Sequence, residues 1–195
     1  LHQFIERMKL LFATSNQNKA KEIAALLPDS FELLTLNDID ITEDIPETSD
    51  TLEGNAKQKS EYIRTNFQLD CFADDTGLEI PVLNNEPGVK SARYAGAQRD
   101  SEDNMQLVLS RLKGKSDRSA RFRTVISLEF YGEQHLFEGI VNGTIRTEKS
   151  GTAGFGYDPI FEPENCGKTF GEMTMKEKNS YSHRARAFEK MIAFL

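Results

Sequence analysis

Thr14, Ser15, Asn16 and Lys19 fall between an apolar run and a helical repeat in "LLFATSNQNKAKEIAALL", residues 10–27, and all four can grip a phosphate. A strand that feeds a helix through a short polar turn aims backbone N–H groups and the positive end of the helix dipole at one place, which suits an anion. A plain helix cap by Thr14, Ser15 or Asn16 is the alternative. In "FADDTGLEI", Asp74 and Asp75 stand side by side at the end of a strand, where carboxylates repel unless a cation or solvent compensates. A "DDTG" turn would also account for them. With Glu47 from the acidic loop, they could offer oxygen ligands to a hard ion such as Mg²⁺, which takes one or two carboxylates plus substrate phosphates. "GTAGFGYDPIF" is a glycine-rich loop bearing Phe155, Tyr157 and Asp158; such a loop lets backbone approach a ligand and an aromatic stack on a flat base, or simply bends. "EKNSYSHRARAF" gathers Lys178, His183 and Arg184 near the start of the last helix, where cations oppose the dipole and call for an anionic partner.

These clusters need a scaffold that brings distant stretches together. Lys9 to Ala13 reads as a short strand, and Ala20, Ile23, Ala24 and Leu27 then recur at helical spacing until Pro28 stops the helix. Phe31 to Leu36 is a second apolar run, followed by the loop-like acidic stretch "NDIDITEDIPETSDTLEGN". "NAKQKSEYIRTNF" predicts a helix and "CFAD" a short strand after it. Met105, Val108, Leu109 and Leu112 share a helical face, with Asp100 or Ser101 to cap it and Gly114 to end it. "RFRTVISLEFY" alternates, with Phe122, Ile126, Leu128 and Phe130 on one side, and "GE" turns it into "QHLFEGIVNGTI", a long antiparallel pair. Ser182 to Leu195 predicts the last helix, with Phe188, Met191, Ile192 and Leu195 as its buried stripe. No repeat or linker interrupts the pattern, so one mixed α/β unit over residues 1–195 is expected.

With 195 residues and 38% hydrophobic content, the chain can bury one sizeable core, and no apolar stretch approaches a membrane span. A net charge of −7 argues against non-specific nucleic-acid binding, so an acidic substrate must be held by a few placed cations. Cys71 and Cys166 form no CxxC or Cys/His pattern, and two buried structural thiols in a reduced, cytoplasmic protein are expected. "LHQFIER" lacks the features of a signal peptide, and residues 1–7 read as an extension ahead of Met8.

Taken in order, "FATSNQNKAKEI", "PETSDTLEGNA", "FADDTGLEI", "PGVKSARYAG", "GFGYDPIFEP" and "EKNSYSHRARA" resemble the blocks of the inosine triphosphate pyrophosphatase family from Lys9 to Phe194. The resemblance implies an elongated mixed β-sheet with flanking helices, two lobes around a central cleft, a homodimer and Mg²⁺ dependence. It implies hydrolysis of the purine nucleoside triphosphates ITP, dITP or XTP to the monophosphate and pyrophosphate, a house-cleaning reaction that clears deaminated purines from the nucleotide pool. On this chain it places the triphosphate on Thr14, Ser15, Asn16, Gln17, Asn18 and Lys19, and the metal on Glu47 and Asp75. Asp75 would also accept the proton of the attacking water. Lys59, Thr76 and Lys178 would line the phosphate path; Phe155, Gly156, Tyr157 and Asp158 would hold base and sugar; His183 and Arg184 would read the purine edge. Gly54 departs from the family pattern, in which many members carry an acidic residue at that place. One rival is a pyrophosphatase for pyrimidine or modified-base triphosphates, against which "SHRARA" and "GFGYDPIF" speak. Another is a nucleotide-sensing module, which would not need Glu47 with Asp75. The phosphate-loop pattern GxxxxGK[ST] does not occur.

Overall fold

The chain enters its sheet through Met8–Phe12 (β1), whose Leu10, Leu11 and Phe12 are buried, and leaves it through a polar turn into Gln17–Ala24 (α1). The computed structural model describes residues 7–195, so the expected extension lies, apart from Arg7, outside the described residues. There follow Phe31–Thr35 (β2), Leu52–Phe67 (α2), Cys71–Ile80 (β3), Glu86–Gly88 (β4), Ser101–Arg111 (α3), Ser119–Phe130 (β5) and Glu133–Ile145 (β6). Phe161–Pro163 (β7), Met175–Tyr181 (α4) and His183–Phe194 (α5) complete the fold. The seven strands form one sheet in the order β2-β1-β3-β5-β6-β7, with β4 also on β3. β1 runs parallel to β2 and β3, and the remaining pairs are antiparallel. This is the expected mixed sheet with flanking helices.

The long strands serve two larger cores, besides smaller clusters around Leu11, Ile63 and Ala73 and around Leu52, Ala56 and Val125. Leu10, Phe12, Ile23, Phe72, Ile126, Leu128, Phe188 and Met191 pack together, α5 and α1 lying against this half of the sheet. Leu78, Ile80, Met105, Val108, Phe122, Phe161 and Phe170 make the other. β3 thus gives Phe72 to one core and Leu78 to the other, and β5 divides Ile126 from Phe122 in the same way. Between them lies the stretch Asp74–Thr76, paired with Thr124–Ile126. Polar residues can sit mid-strand here because neither core claims the position, and this junction is where the two lobes meet.

Several local expectations change. "CFAD" is no short strand and "DDTG" no turn: β3 runs on for ten residues because its second half pairs with both β4 and β5. The β5–β6 turn falls one residue earlier than "GE", at Tyr131 and Gly132, whose φ values of 46° and 88° suit a tight two-residue hairpin. The last helix lies where expected, and a further short helix, α4, precedes it and carries Lys178. Cys71 is buried as expected, and burial pushes its thiol up to about 12, but Cys166 is only half-buried. Among the described residues, no helix is long and apolar enough to cross a membrane.

Candidate active site

The turn after β1 is both a cap and a cavity wall. Asn16 Oδ1 accepts the N–H groups of Asn18 (3.0 Å) and Lys19 (3.3 Å), and Thr14 Oγ1 accepts that of Asn16 at 3.1 Å. The N–H groups of Asn16, Asn18 and Lys19 are therefore satisfied within the turn itself. Thr14, Ser15, Asn16 and Lys19 line the cavity, whereas Gln17 and Asn18 are exposed and do not. The helix delivers Lys19 to Asp74, its Nζ donating to Oδ1 at 2.9 Å. Burial, together with the charges of Lys59 and Arg184, lowers the Lys19 ammonium against the pull of Asp74.

Because side chains alternate along a strand, Asp74 and Asp75 project from opposite faces of β3 and do not face each other. Asp74 accepts from Lys19, from Arg184 Nε at 3.1 Å and from Thr76 Oγ1 at 3.3 Å. Burial would raise its carboxyl, but the Lys19, Arg184 and Lys59 charges hold it well below the usual range. Asp75 instead faces α2, where Asn55 Nδ2 donates to its Oδ2 at 3.1 Å and Lys59 Nζ stands 3.9 Å from its Oδ1. Burial, aided by Glu47, raises the Asp75 carboxyl despite Lys59 and Lys19.

Glu47 reaches this place because α2 pins the acidic loop. Ser49 N–H donates to Asn55 Oδ1 at 2.9 Å, Thr48 N–H donates to Gln58 Oε1 at 2.8 Å, and Lys59 Nζ donates to Glu47 itself. Gly54 lies under this loop: a Cβ there would fall 1.9 Å from Ser49 Oγ, so the turn from Ser49 to Thr51 occupies the space of a side chain. The preceding Glu53 is bound to Arg123 on β5 and does not enter the cavity. Among the described residues, no group of three or more His, Cys, Asp or Glu side chains is placed to hold a metal ion. Two carboxylates converging on Lys59 Nζ nevertheless match Mg²⁺, which draws its remaining ligands from water and phosphate.

At the other end of the cavity, the glycine-rich loop is tied down by Asp158. Its Oδ2 accepts Phe155 N–H at 2.8 Å and Lys178 Nζ at 2.6 Å, and a Cβ on Gly154, at φ 75°, would fall 2.0 Å from that same oxygen. Asp158 and Tyr157 therefore set the loop rather than extend into open space, Tyr157 O–H donating to Ser91 O at 2.7 Å. Phe155 remains half-buried, with Lys178 Nζ 4.8 Å and Arg184 Cζ 5.8 Å from its ring centre. His183 stacks on Phe122 at 4.7 Å between centroids and is completely enclosed, its Nδ1 without a partner. Burial, and then the Arg184 and Lys178 charges, hold its imidazole well below 6.5.

Arg184 is 1% exposed, and each of its nitrogens makes one bond: it donates to Glu22, to Asp74 and, through Nη2, to Thr76 Oγ1 at 3.1 Å. Glu22 also accepts Lys178 Nζ at 2.5 Å, and these two cations, against the cost of burial, hold its carboxyl below the usual range. The anionic partners called for at the last helix are thus Glu22, Asp74 and Asp158. Glu22 escaped the sequence reading; its one signal there is an acidic residue beside Ile23, inside the apolar stripe of α1. Ser91, Arg93, Arg99 and Asn104 also line the cavity and were missed.

One cavity of about 350 Å³ therefore receives Thr14–Asn16, Lys19, Glu47, Lys59, Asp75, Thr76, Phe155–Asp158, Lys178, His183 and Arg184. Fold and site define an α/β cleft protein whose cavity is lined by placed cations, two carboxylates and an aromatic loop. The chain belongs to the Ham1 family, whose sequence pattern matches residues 10–194. It is 52% identical over 188 residues to the dITP/XTP pyrophosphatase of Flavobacterium johnsoniae, covering 96% of this chain and 98% of that one. To the dITP/XTP pyrophosphatase of Bacillus subtilis it is 44% identical over 189 residues, covering 95% and 96%. Among solved structures it resembles the Ham1 protein of Staphylococcus aureus (TM-score 0.86, 37% identity, 95% and 97% covered). It also resembles a HAM1 protein from Coxiella burnetii (TM-score 0.87, 35% identity, 96% and 98% covered).

Proposed function

We propose that this protein cleaves the α–β phosphoanhydride of non-standard purine nucleoside triphosphates (dITP, ITP and XTP/dXTP), releasing the monophosphate and pyrophosphate. Relatives of nearly equal length are named for this activity. The observation that carries the reading is the convergence, around one cavity, of the polar Thr14–Lys19 turn, two carboxylates and an aromatic loop, supplied by segments more than a hundred residues apart.

Attack at the α-phosphorus needs a water in line and neutralisation of charge on the phosphate oxygens, and little covalent chemistry from the protein. The Thr14–Asn16 turn and Lys19 hold the phosphates, with Lys59 beside them. Asp75, its carboxylate oriented by Asn55, accepts the water's proton. Mg²⁺, held by Glu47 and Asp75, supplies positive charge to the phosphates when bound. Phe155 stacks on the base while Asp158 and Lys178 keep its loop in place. Arg184, which spends three of its five N–H donors on Glu22, Asp74 and Thr76, and His183, neutral and with Nδ1 unpaired, both line the cavity and read the purine edge. A 6-keto purine presents an acceptor where adenine presents an amino donor. Setting a buried donor against that amino group costs about 1–3 kcal/mol, enough to disfavour ATP. A homodimer and a reduced cytoplasmic setting belong to the same reading, the first resting on the family resemblance and the second on the free thiols.

The test is a panel of dITP, ITP, XTP, GTP and ATP with Mg²⁺, following pyrophosphate and monophosphate. Pyrophosphate from the deaminated nucleotides is expected. Binding without turnover, or release of orthophosphate, would overturn the reading.

A further inference from the structure

The block "PGVKSARYAG" has no role in the chemistry above, yet it lines the same cavity as the Thr14–Lys19 turn. Its course is pinned. Ser91 Oγ accepts Leu78 N–H at 2.9 Å and donates to Gly88 O at 2.6 Å. Asn104, buried on α3, grips the chain on either side of Arg93, donating to Ala92 O at 3.2 Å and accepting Ala95 N–H at 2.7 Å. Six residues on, Arg99 takes a left-handed φ of 54° just before Asp100, the cap of α3.

Arg93 and Arg99 both face the cavity, and they differ from its other cations. Lys19 is paired with Asp74, Lys59 with Glu47, Lys178 with Asp158 and Glu22, and Arg184 with Glu22 and Asp74. Neither Arg93 nor Arg99 has a carboxylate within 4.0 Å among the described residues. Those paired cations meet the phosphates with part of their charge already taken up by a carboxylate in place. An uncommitted guanidinium offers a planar fork of donors that fits phosphate oxygens.

We propose that Arg93 and Arg99 grip the pyrophosphate end of the triphosphate and stabilise it as the leaving group. The assignment to that end follows from the neighbours: the aromatic loop takes the base, while Arg99 stands near the acidic loop. Glu43, Asp44 and Glu47 of that loop line the same cavity as Arg99. The inference rests on the pyrophosphatase reading, and it assigns the chain's contribution to leaving-group charge to two residues outside the phosphate turn.

Arg93→Gln and Arg99→Gln, singly and together, decide it, with inorganic pyrophosphate and IMP as competitive inhibitors of dITP hydrolysis. Each substitution should weaken pyrophosphate about tenfold or more, a charged hydrogen bond being lost, and leave IMP within about twofold. Unchanged pyrophosphate affinity in the double variant, or equal losses for pyrophosphate and IMP, would overturn the proposal. If the unaltered protein released no pyrophosphate from dITP, the reaction itself would be misread. Calorimetric binding of inorganic pyrophosphate to the same variants would still judge the arginines.

Discussion

Arg184 Nε donates to Asp74 Oδ2 at 3.1 Å, and the two side chains, 110 positions apart in sequence, are each no more than 2% exposed. This pair joins α5 to the middle of β3 at the junction of the lobes, and Asp74 passes the link on to Lys19. Removing one partner of a buried ion pair leaves the other charged and unsatisfied, at a cost of about 3–5 kcal/mol. Asp74→Ala should lose that much by urea denaturation. Asp74→Asn, which can still accept hydrogen bonds, should lose less. A change below about 1 kcal/mol for the alanine variant would mean that water solvates the pair.

Asp75→Asn keeps the shape of the side chain and its contact with Asn55 but can neither accept a proton nor act as a charged ligand. The loss of kcat for dITP should be at least about a hundredfold, with an unchanged melting temperature. Near-normal turnover at saturating Mg²⁺ would remove Asp75 from the chemistry.

Lys19→Ala separates the two readings of the first turn. Asn16 caps α1 with or without the lysine, so the helix should survive, while kcat/KM for dITP should fall about ten- to a hundredfold through loss of a placed ammonium. An unchanged kcat/KM would reduce the turn to a helix cap.

His183 makes a prediction about pH. Its imidazole is held well below 6.5 in the folded state, whereas an unfolded chain takes up the proton near that value. The unfolded state therefore binds more protons as pH falls from the unfolded towards the folded value, and stability is lost across that interval and not above it. Between about pH 7.5 and about pH 5.5 this one group therefore costs the folded state stability. Unfolding free energies at the two pH values should show the unaltered protein losing more than His183→Gln. Equal losses would show that the folded imidazole titrates freely.

Features carried by neighbouring residues were legible in the sequence. The strand–turn–helix at Thr14–Lys19 and the Asp100 cap of α3 depend on local spacing, and the structure reproduces them, whereas β5 alternates only as far as Arg123 and is buried on both faces from Thr124 to Glu129. The ordered blocks also pointed to the family, since each keeps its residue types whatever it packs against. What the tertiary structure alone decided are the partners. Whether "DDTG" turns or continues as strand depends on pairing with β4 and β5, and that pairing sends Asp74 to Lys19 and Arg184 but Asp75 to Asn55 and Lys59. Glu22 reads as one more charged residue on a helix until α4 and α5 fold over it and bury it against Lys178 and Arg184. Gly54 reads as a missing acid until Ser49 is seen to fill its place. A residue's type and local geometry are written into the chain beside it. Its charge partner and its burial are set by segments that meet only when the chain is folded, and those two decide which cations are already neutralised and which, like Arg93 and Arg99, remain open to a ligand.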